Sequence, residues 1–223
     1  PVEEGISLEE GIAYLEEHFA LGRSVKNSGK RQVFLIGTGP GSESYLTGEA
    51  KKRLDKCDLI VGASRCVRQL ESFHKPVFEA YQPEKNCGLS GCHPEVQVIC
   101  GAMSGDTGFY SAAEKLGAVL ERRGNYTVEV IPGISSVGYF SRRSGVPGIT
   151  RNSSACTGRR QLRFGIKALR QCFILGGGSD FYETICGQLI DLGMQETKLF
   201  AGENLTLEDE QIFTSTPEEI KGR

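Results

Sequence analysis

The run Val33-Phe34-Leu35-Ile36-Gly37-Thr38-Gly39-Pro40-Gly41 decides the architecture. Four consecutive apolar residues break into a glycine-permitted turn. The pattern recurs downstream, where Val96-Gln97-Val98-Ile99-Cys100 leads to Ser104-Gly105-Asp106-Thr107-Gly108-Phe109-Tyr110. Each stretch reads as a strand that ends in a tight turn and then enters a helix. Two such turns can meet over the carboxyl edge of a parallel sheet, where open α/β folds bind ligands. A nucleotide-like cofactor is therefore expected there.

Outward from these loops, strands and helices alternate. A helix over 46–54, with Ser44 as its cap, follows the first loop. Strands are expected at 59–62, 76–78, 96–103 and 127–131, and a helix begins at Ser64. Phe109, Ala112, Ala113, Leu116, Val119 and Leu120 recur at helical spacing, with Gly124 as a stop. Pro83, Gly88, Gly91 and Pro94 interrupt residues 79–95, so that crossover should be irregular. The alternation predicts an α/β fold with a largely parallel sheet.

A boundary is placed at Pro132-Gly133, ahead of Ile134-Ser135-Ser136 and a helix that runs to Gly145. The expected organisation is an N-terminal helical arm and linker over 1–30, an α/β domain over 31–132 and a second α/β domain over 133–223. Residues 146–171 yield no assignment. Beyond them come a strand at 172–175 ending in Gly176-Gly177-Gly178, a helix capped by Asp180, strands at 197–201 and 210–214, and a helix start at Thr216-Pro217.

Composition sets the outer bounds. The 223 residues carry a net charge of −2 and 24% charged residues, so no global field draws in nucleic acid or an acidic membrane. No apolar run approaches the ~20 residues of a membrane span. The opening residues are acidic and lack an apolar signal segment, which points to a cytoplasmic setting. The eight cysteines are scattered, and reduced buried thiols are the expected state. Cys87, Cys92 and His93 have loose spacing and no second ligand pair, so no metal is expected.

The glycine loops fail the common nucleotide templates. Gly37–Gly41 is not a dinucleotide fingerprint, because Asp58 precedes the second apolar run instead of following it. It is not a triphosphate loop either, because no Gly-Lys-Ser/Thr follows. Alone, such a turn reads as a βα corner. In combination the motifs are far more specific. The strand–GTGPGS–helix opening, Leu46-Thr47, Val61-Gly62-Ala63-Ser64-Arg65, Ser104–Tyr110 and Ile131-Pro132-Gly133-Ile134-Ser135-Ser136 stand in one order. Over about residues 31–220 the chain resembles the tetrapyrrole (corrin/porphyrin) methylase family, enzymes that use S-adenosylmethionine to methylate corrin and sirohaem precursors. Gly62-Ala63-Ser64-Arg65, the second loop, and Glu203-Asn204-Leu205 with Glu210 look most like the branch acting on C5 of precorrin-7 or its cobalt form. The chain departs from that branch at Thr107, where proline is usual, and at Thr157, where histidine is usual.

The resemblance implies two α/β domains of the tetrapyrrole methylase type with the cofactor in the interdomain cleft. Carried onto this chain, it implies cofactor contacts at Gly39, Pro40 and Gly41, at Gly105, Asp106 and Phe109, and at Ser135, Ser136, Leu175 and Leu205. The activated sulfonium needs little side-chain help, so catalysis would rest on proximity and orientation. Asp106 and Tyr110 are the candidates for moving a proton. The alternative role for Asp106, Ser135 and Ser136 is helix capping. A macrocycle with many carboxylates calls for arginines. Arg65, Arg151 and Arg159 are the candidates, against a solvated basic loop as the plain reading. The implied partners are a small-molecule tetrapyrrole, a second copy in a homodimer and a separate C15-methylating decarboxylase, with S-adenosyl-L-homocysteine as coproduct. Two other readings stay open: the same fold acting on another tetrapyrrole or a macromolecule, and a cofactor-binding partner without catalysis.

Overall fold

The computed structural model describes residues 30–79, 96–108, 111, 113–122, 124–148, 153–157, 166, 169–178 and 180–221. The chain divides after Ser135 into two units.

In the first unit five strands form one parallel sheet. They are β1 (Arg31–Gly37), β2 (Leu59–Gly62), β3 (Val77–Glu79), β4 (Val98–Met103) and β5 (Tyr126–Ile131). The spatial order is β3-β2-β4-β1-β5. β1 is buried on both faces apart from Gln32, as expected of a central parallel strand. Its side chains alternate between two cores. Val33 and Leu35 join Leu116 and Leu120 of α3 (Ala113–Arg122). Phe34 and Ile36 join Ala50 and Leu54 of α1 (Gly48–Lys56), and Cys66 and Val67 of α2 (Ser64–Val67). Helices thus cover both faces of the sheet.

One expectation shifts. The first helix starts at Gly48 and is capped by Thr47, whose Oγ1 accepts from the Ala50 amide at 3.1 Å. Ser44 belongs to a preceding 3-10 turn (Glu43–Tyr45), where Ser42 takes the capping role. Leu46 and Thr47 are extended, which separates the turn from the helix. The helix after the second loop is described from Ala113, whose amide donates to Ser111 Oγ at 3.1 Å. Asp58, set aside as a ribose ligand, has a structural role: its Oδ2 accepts from the Gln97 and Val98 amides at 2.9 and 2.8 Å and fixes the start of β4.

The second unit contains α4 (Ser136–Ser144), β6 (Ser153–Thr157), β7 (Gln171–Leu175), α5 (Phe181–Asp191), β8 (Leu199–Glu203), β9 (Gln211–Ser215) and α6 (Pro217–Lys221). β6 pairs with β7 in parallel, and β8 with β9 antiparallel. β6 lies inside the stretch that sequence left unassigned. Ile185, Leu189 and Leu192 form the small core beneath α5, with Ile174 and Leu199 packed against it.

Five described cysteines are free thiols, four of them buried. Cys100 is pushed up by its hydrogen bond with Cys57 and by burial, which keeps it protonated. Cys87, Cys92 and His93 lie outside the described residues. Among the described residues no helix is long and apolar enough to cross a membrane.

Candidate active site

The site begins with the strand order. β1 and β4 are neighbours, with Gly37 in register with Met103. The loop after β1 leads to α1 on one face of the sheet, and the loop after β4 leads to α3 on the other. Adjacent strands whose exits diverge in this way open a crevice at their carboxyl ends, the usual ligand position in an open α/β sheet.

Both glycine loops sit at that crevice and are bonded to each other. The Gly39 amide donates to the Gly105 carbonyl at 3.0 Å, and the Gly105 amide donates to the Gly39 carbonyl at 3.0 Å. Both residues have positive φ, +76° and +71°. That backbone conformation favours glycine, which explains the residue type at these two positions. Thr38 adds a further tie: its amide and its hydroxyl both donate to the Met103 carbonyl, at 2.8 and 3.0 Å.

The turn after β5 forms a third wall. A Cβ on Gly133 would lie 2.3 Å from the Gly105 oxygen and 2.6 Å from the Gly37 oxygen. No side chain fits in that space, so three loop backbones meet there directly. Asp106 Oδ1 accepts from the Gly133 amide at 3.2 Å, and the buried Thr107 hydroxyl donates to the Ile131 carbonyl at 3.2 Å. Asp106 therefore caps no described helix; it ties the second loop to the third. Thr107 ties the same loop to the end of β5, so the residue that departs from the family pattern has a structural task.

The remaining site residues fall as follows. Pro40 and Gly41 are half-buried at the rim of the first loop. Ser135 is half-buried at the end of the third loop, and neither it nor Ser136 hydrogen-bonds through its side chain among the described residues. Arg65 is exposed on α2, just past the carboxyl end of β2. Phe109, Tyr110, Arg151 and Arg159 lie outside the described residues. In the second unit, Leu175 ends β7 and Leu205 sits in the β8–β9 turn, both half-buried.

That turn is held by a residue to which sequence assigned no role. Glu210 Oε2 accepts from the Tyr139 hydroxyl at 2.6 Å and the Thr206 amide at 2.7 Å. Its Oε1 accepts from Arg143 Nε at 3.0 Å and Nη2 at 2.7 Å. The Tyr139 hydroxyl, the Thr206 amide and Arg143 together hold the Glu210 carboxyl down at about 2.

A family model, the Tetrapyrrole (Corrin/Porphyrin) Methylases, matches residues 32–221. The chain belongs to the tetrapyrrole methylases. Among curated relatives, one from Methanothermobacter thermautotrophicus carries the name "Probable cobalt-factor III C(17)-methyltransferase". It is 27% identical over 120 residues, 52% of this chain and 34% of that protein. The cobalt-precorrin-4 C(11)-methyltransferase of Methanocaldococcus jannaschii is 28% identical over 118 residues, 48% of this chain and 44% of that protein. The matched segment thus spans less than half the length of each of these relatives. Among solved structures, uroporphyrin-III-C-methyltransferase from Thermus thermophilus superposes with a TM-score of 0.66 at 18% identity, covering 86% of this chain and 87% of that one. A structure of a Thermus thermophilus uroporphyrin-III C-methyltransferase complexed with S-adenosyl homocysteine gives 0.60 at 22%, covering 86% of each. At such identities the likeness shows the fold.

The tetrapyrrole methylases are a family dependent on S-adenosylmethionine, and the described residues suit that cofactor. The glycine turns present backbone without side chains at the crevice. Asp106 places a carboxylate beside them, with its Oδ1 on the Gly133 amide.

Proposed function

We propose that this protein is an S-adenosylmethionine-dependent C-methyltransferase that acts on a corrin-ring precursor in cobalamin biosynthesis, at C5 of precorrin-7 or its cobalt form. The observation that carries the reading is the reciprocal Gly39–Gly105 bond at the switch point, within a chain that matches the methylase family over residues 32–221. The choice of C5 rests on Gly62-Ala63-Ser64-Arg65, the second loop and Glu203-Asn204-Leu205 with Glu210. The curated relatives named above act, by their names, at C17 and C11, and the experiment below separates those positions from C5.

In this reading Gly39, Pro40, Gly41 and Gly105 hold the amino-acid end and ribose through backbone groups. Asp106 faces the positive charge of the cofactor. Phe109, Ser135, Ser136, Leu175 and Leu205 complete the contacts, and the two leucines enclose the adenine. The bound cofactor supplies an activated methyl group. The protein's part is to hold the nucleophilic ring carbon in line with it in a dry site, with Asp106 or Tyr110 taking up a proton. Arg65, Arg151 and Arg159 pair with ring carboxylates. A homodimer and a separate C15-methylating decarboxylase belong to the same proposal.

The test is direct. Purified protein is incubated with S-adenosylmethionine and precorrin-7, its cobalt form, or precursors that accept methyl at C11 or C17, and products are read by mass spectrometry with NMR assignment of the new methyl. Methylation at C5 supports the reading. A methyl at C11 or C17 moves the substrate and keeps the chemistry. Cofactor binding without any product sinks the catalytic reading, and absence of S-adenosyl-L-homocysteine binding by calorimetry sinks the cofactor.

A further inference from the structure

We propose that Glu210 is a positioning residue for the adenosine end of the cofactor: it locks the β8–β9 turn so that Leu205 holds one fixed place beside α4. This rests on the cofactor reading above, and it concerns only residues of the second unit.

Three independent features of the turn point to a constrained element. The first is backbone strain. Asn204 and Thr206 flank Leu205 at φ +47° and +69°. Positive φ is rare outside glycine, and for a β-branched residue such as Thr206 it is a true outlier. Such conformations persist only where the surroundings over-determine them, and they gather at ligand clamps. The second feature supplies that over-determination. Glu210 accepts from the Thr206 amide, while Asn204 Nδ2 donates to Asp209 Oδ2 at 2.7 Å. The third is the route to α4. Glu210 also receives the Tyr139 hydroxyl and a two-point contact from Arg143, both on the helix that begins with Ser136. Both Arg143 donors reach Oε1, and such charge-assisted bonds are stronger than neutral ones.

Leu205 is tied to the same helix by packing. A Cβ on Gly202 would lie 2.7 Å from the Phe140 ring and 3.0 Å from Leu205 Cδ2. Phe140 of α4 and Leu205 therefore share the space over one glycine of β8. Two of the residues assigned to the cofactor, Ser136 and Leu205, thus belong to elements that Glu210 holds together. Glu210 bonds the amide next to Leu205 and the helix that carries Ser136.

The experiment measures S-adenosyl-L-homocysteine affinity by calorimetry, and KM for S-adenosylmethionine and for the macrocycle, at a temperature where every variant is folded by circular dichroism. Glu210→Ala should weaken cofactor affinity on the order of tenfold and raise KM for S-adenosylmethionine alike, with KM for the macrocycle unchanged. Glu210→Gln, which keeps acceptor capacity, should recover part of the loss. Tyr139→Phe and Arg143→Met take the place of Glu210→Ala if that variant does not fold, and each should show the same split. In a Leu205→Ala background the Glu210 substitution should have little further effect, because its action passes through Leu205. Unchanged cofactor affinity in the variants overturns the proposal, as do strictly additive Leu205 and Glu210 effects. Failure of the unsubstituted protein to bind the cofactor overturns the functional reading first, which keeps the two failures apart.

Discussion

Gly39 and Gly105 hold each other through two backbone hydrogen bonds, each 3.0 Å long, although they lie on loops that leave different strands. The bonded pair joins the two loops into one rigid rim. Gly133, pressed against the Gly105 and Gly37 oxygens, extends that rim to a third loop. The site is therefore made by backbone contact: Gly39 and Gly105 are glycine because their φ is positive, and Gly37 and Gly133 because a Cβ would meet backbone atoms.

Gly133→Ala tests that closeness. The new methyl would sit 2.3 Å from the Gly105 oxygen, and the neighbours in its way are backbone atoms that cannot swing aside. The expected result is destabilisation of about 1–3 kcal/mol or more, measured by urea unfolding, together with loss of cofactor binding by calorimetry. Unchanged stability would show that the third loop is free to move.

Asp106 separates its two roles through two substitutions. Asp106→Ala removes the acceptor of the Gly133 amide and should destabilise the fold by about 1 kcal/mol. Asp106→Asn keeps an acceptor and should retain most of that stability. It loses the charge, so it should weaken S-adenosylmethionine more than S-adenosyl-L-homocysteine, which lacks the sulfonium. Equal weakening of both ligands in parallel titrations would place the carboxylate away from the sulfonium.

Gly202→Ala probes the second unit. A methyl there meets the Phe140 ring at 2.7 Å and Leu205 at 3.0 Å. One of those side chains must give way, and overpacking of this kind costs about 1–3 kcal/mol. Denaturant unfolding reads the stability. A variant as stable as the parent would mean that Phe140 moves aside without loss.

The Glu210 carboxyl gives a pH signature with a defined sign. Its pKa is lowered from 4.5 to about 2 by the Tyr139 hydroxyl, the Thr206 amide and Arg143. A group depressed on folding contributes stability that is full above its unfolded value and lost as pH falls toward its folded value. Stability should therefore decline between 4.5 and about 2 as this carboxylate takes up its proton. In Glu210→Gln that part of the acid dependence should vanish, leaving a flatter curve in urea titrations across the window. Parallel curves for the two proteins would contradict the assignment.

Sequence by itself determined the local grammar of this chain. Apolar runs followed by glycine turns marked β1 and β4 as strands with tight exits, because alternation and turn chemistry are settled within a few residues. The ordered motifs gave the family, which the match over residues 32–221 then established. Asp106 was singled out, but its partner was not, since nothing local connects it to Gly133. Glu210 enters the sequence reading only through a resemblance: its amide partner, Thr206, is four residues away, whereas Tyr139 is 71 residues away. β6 is not legible in the sequence, because Ser153–Thr157 has no apolar alternation to mark it.

What only the tertiary structure decided was adjacency. The order β3-β2-β4-β1-β5 places Thr38 beside Met103, 65 residues apart, and sets Gly133 against both glycine loops. Strand order depends on which crossover closes over which face, and that is a competition among long-range pairings. Hydrophobic periodicity is the same for many such orders, so the crevice and its glycine rim come into being only when the sheet is assembled.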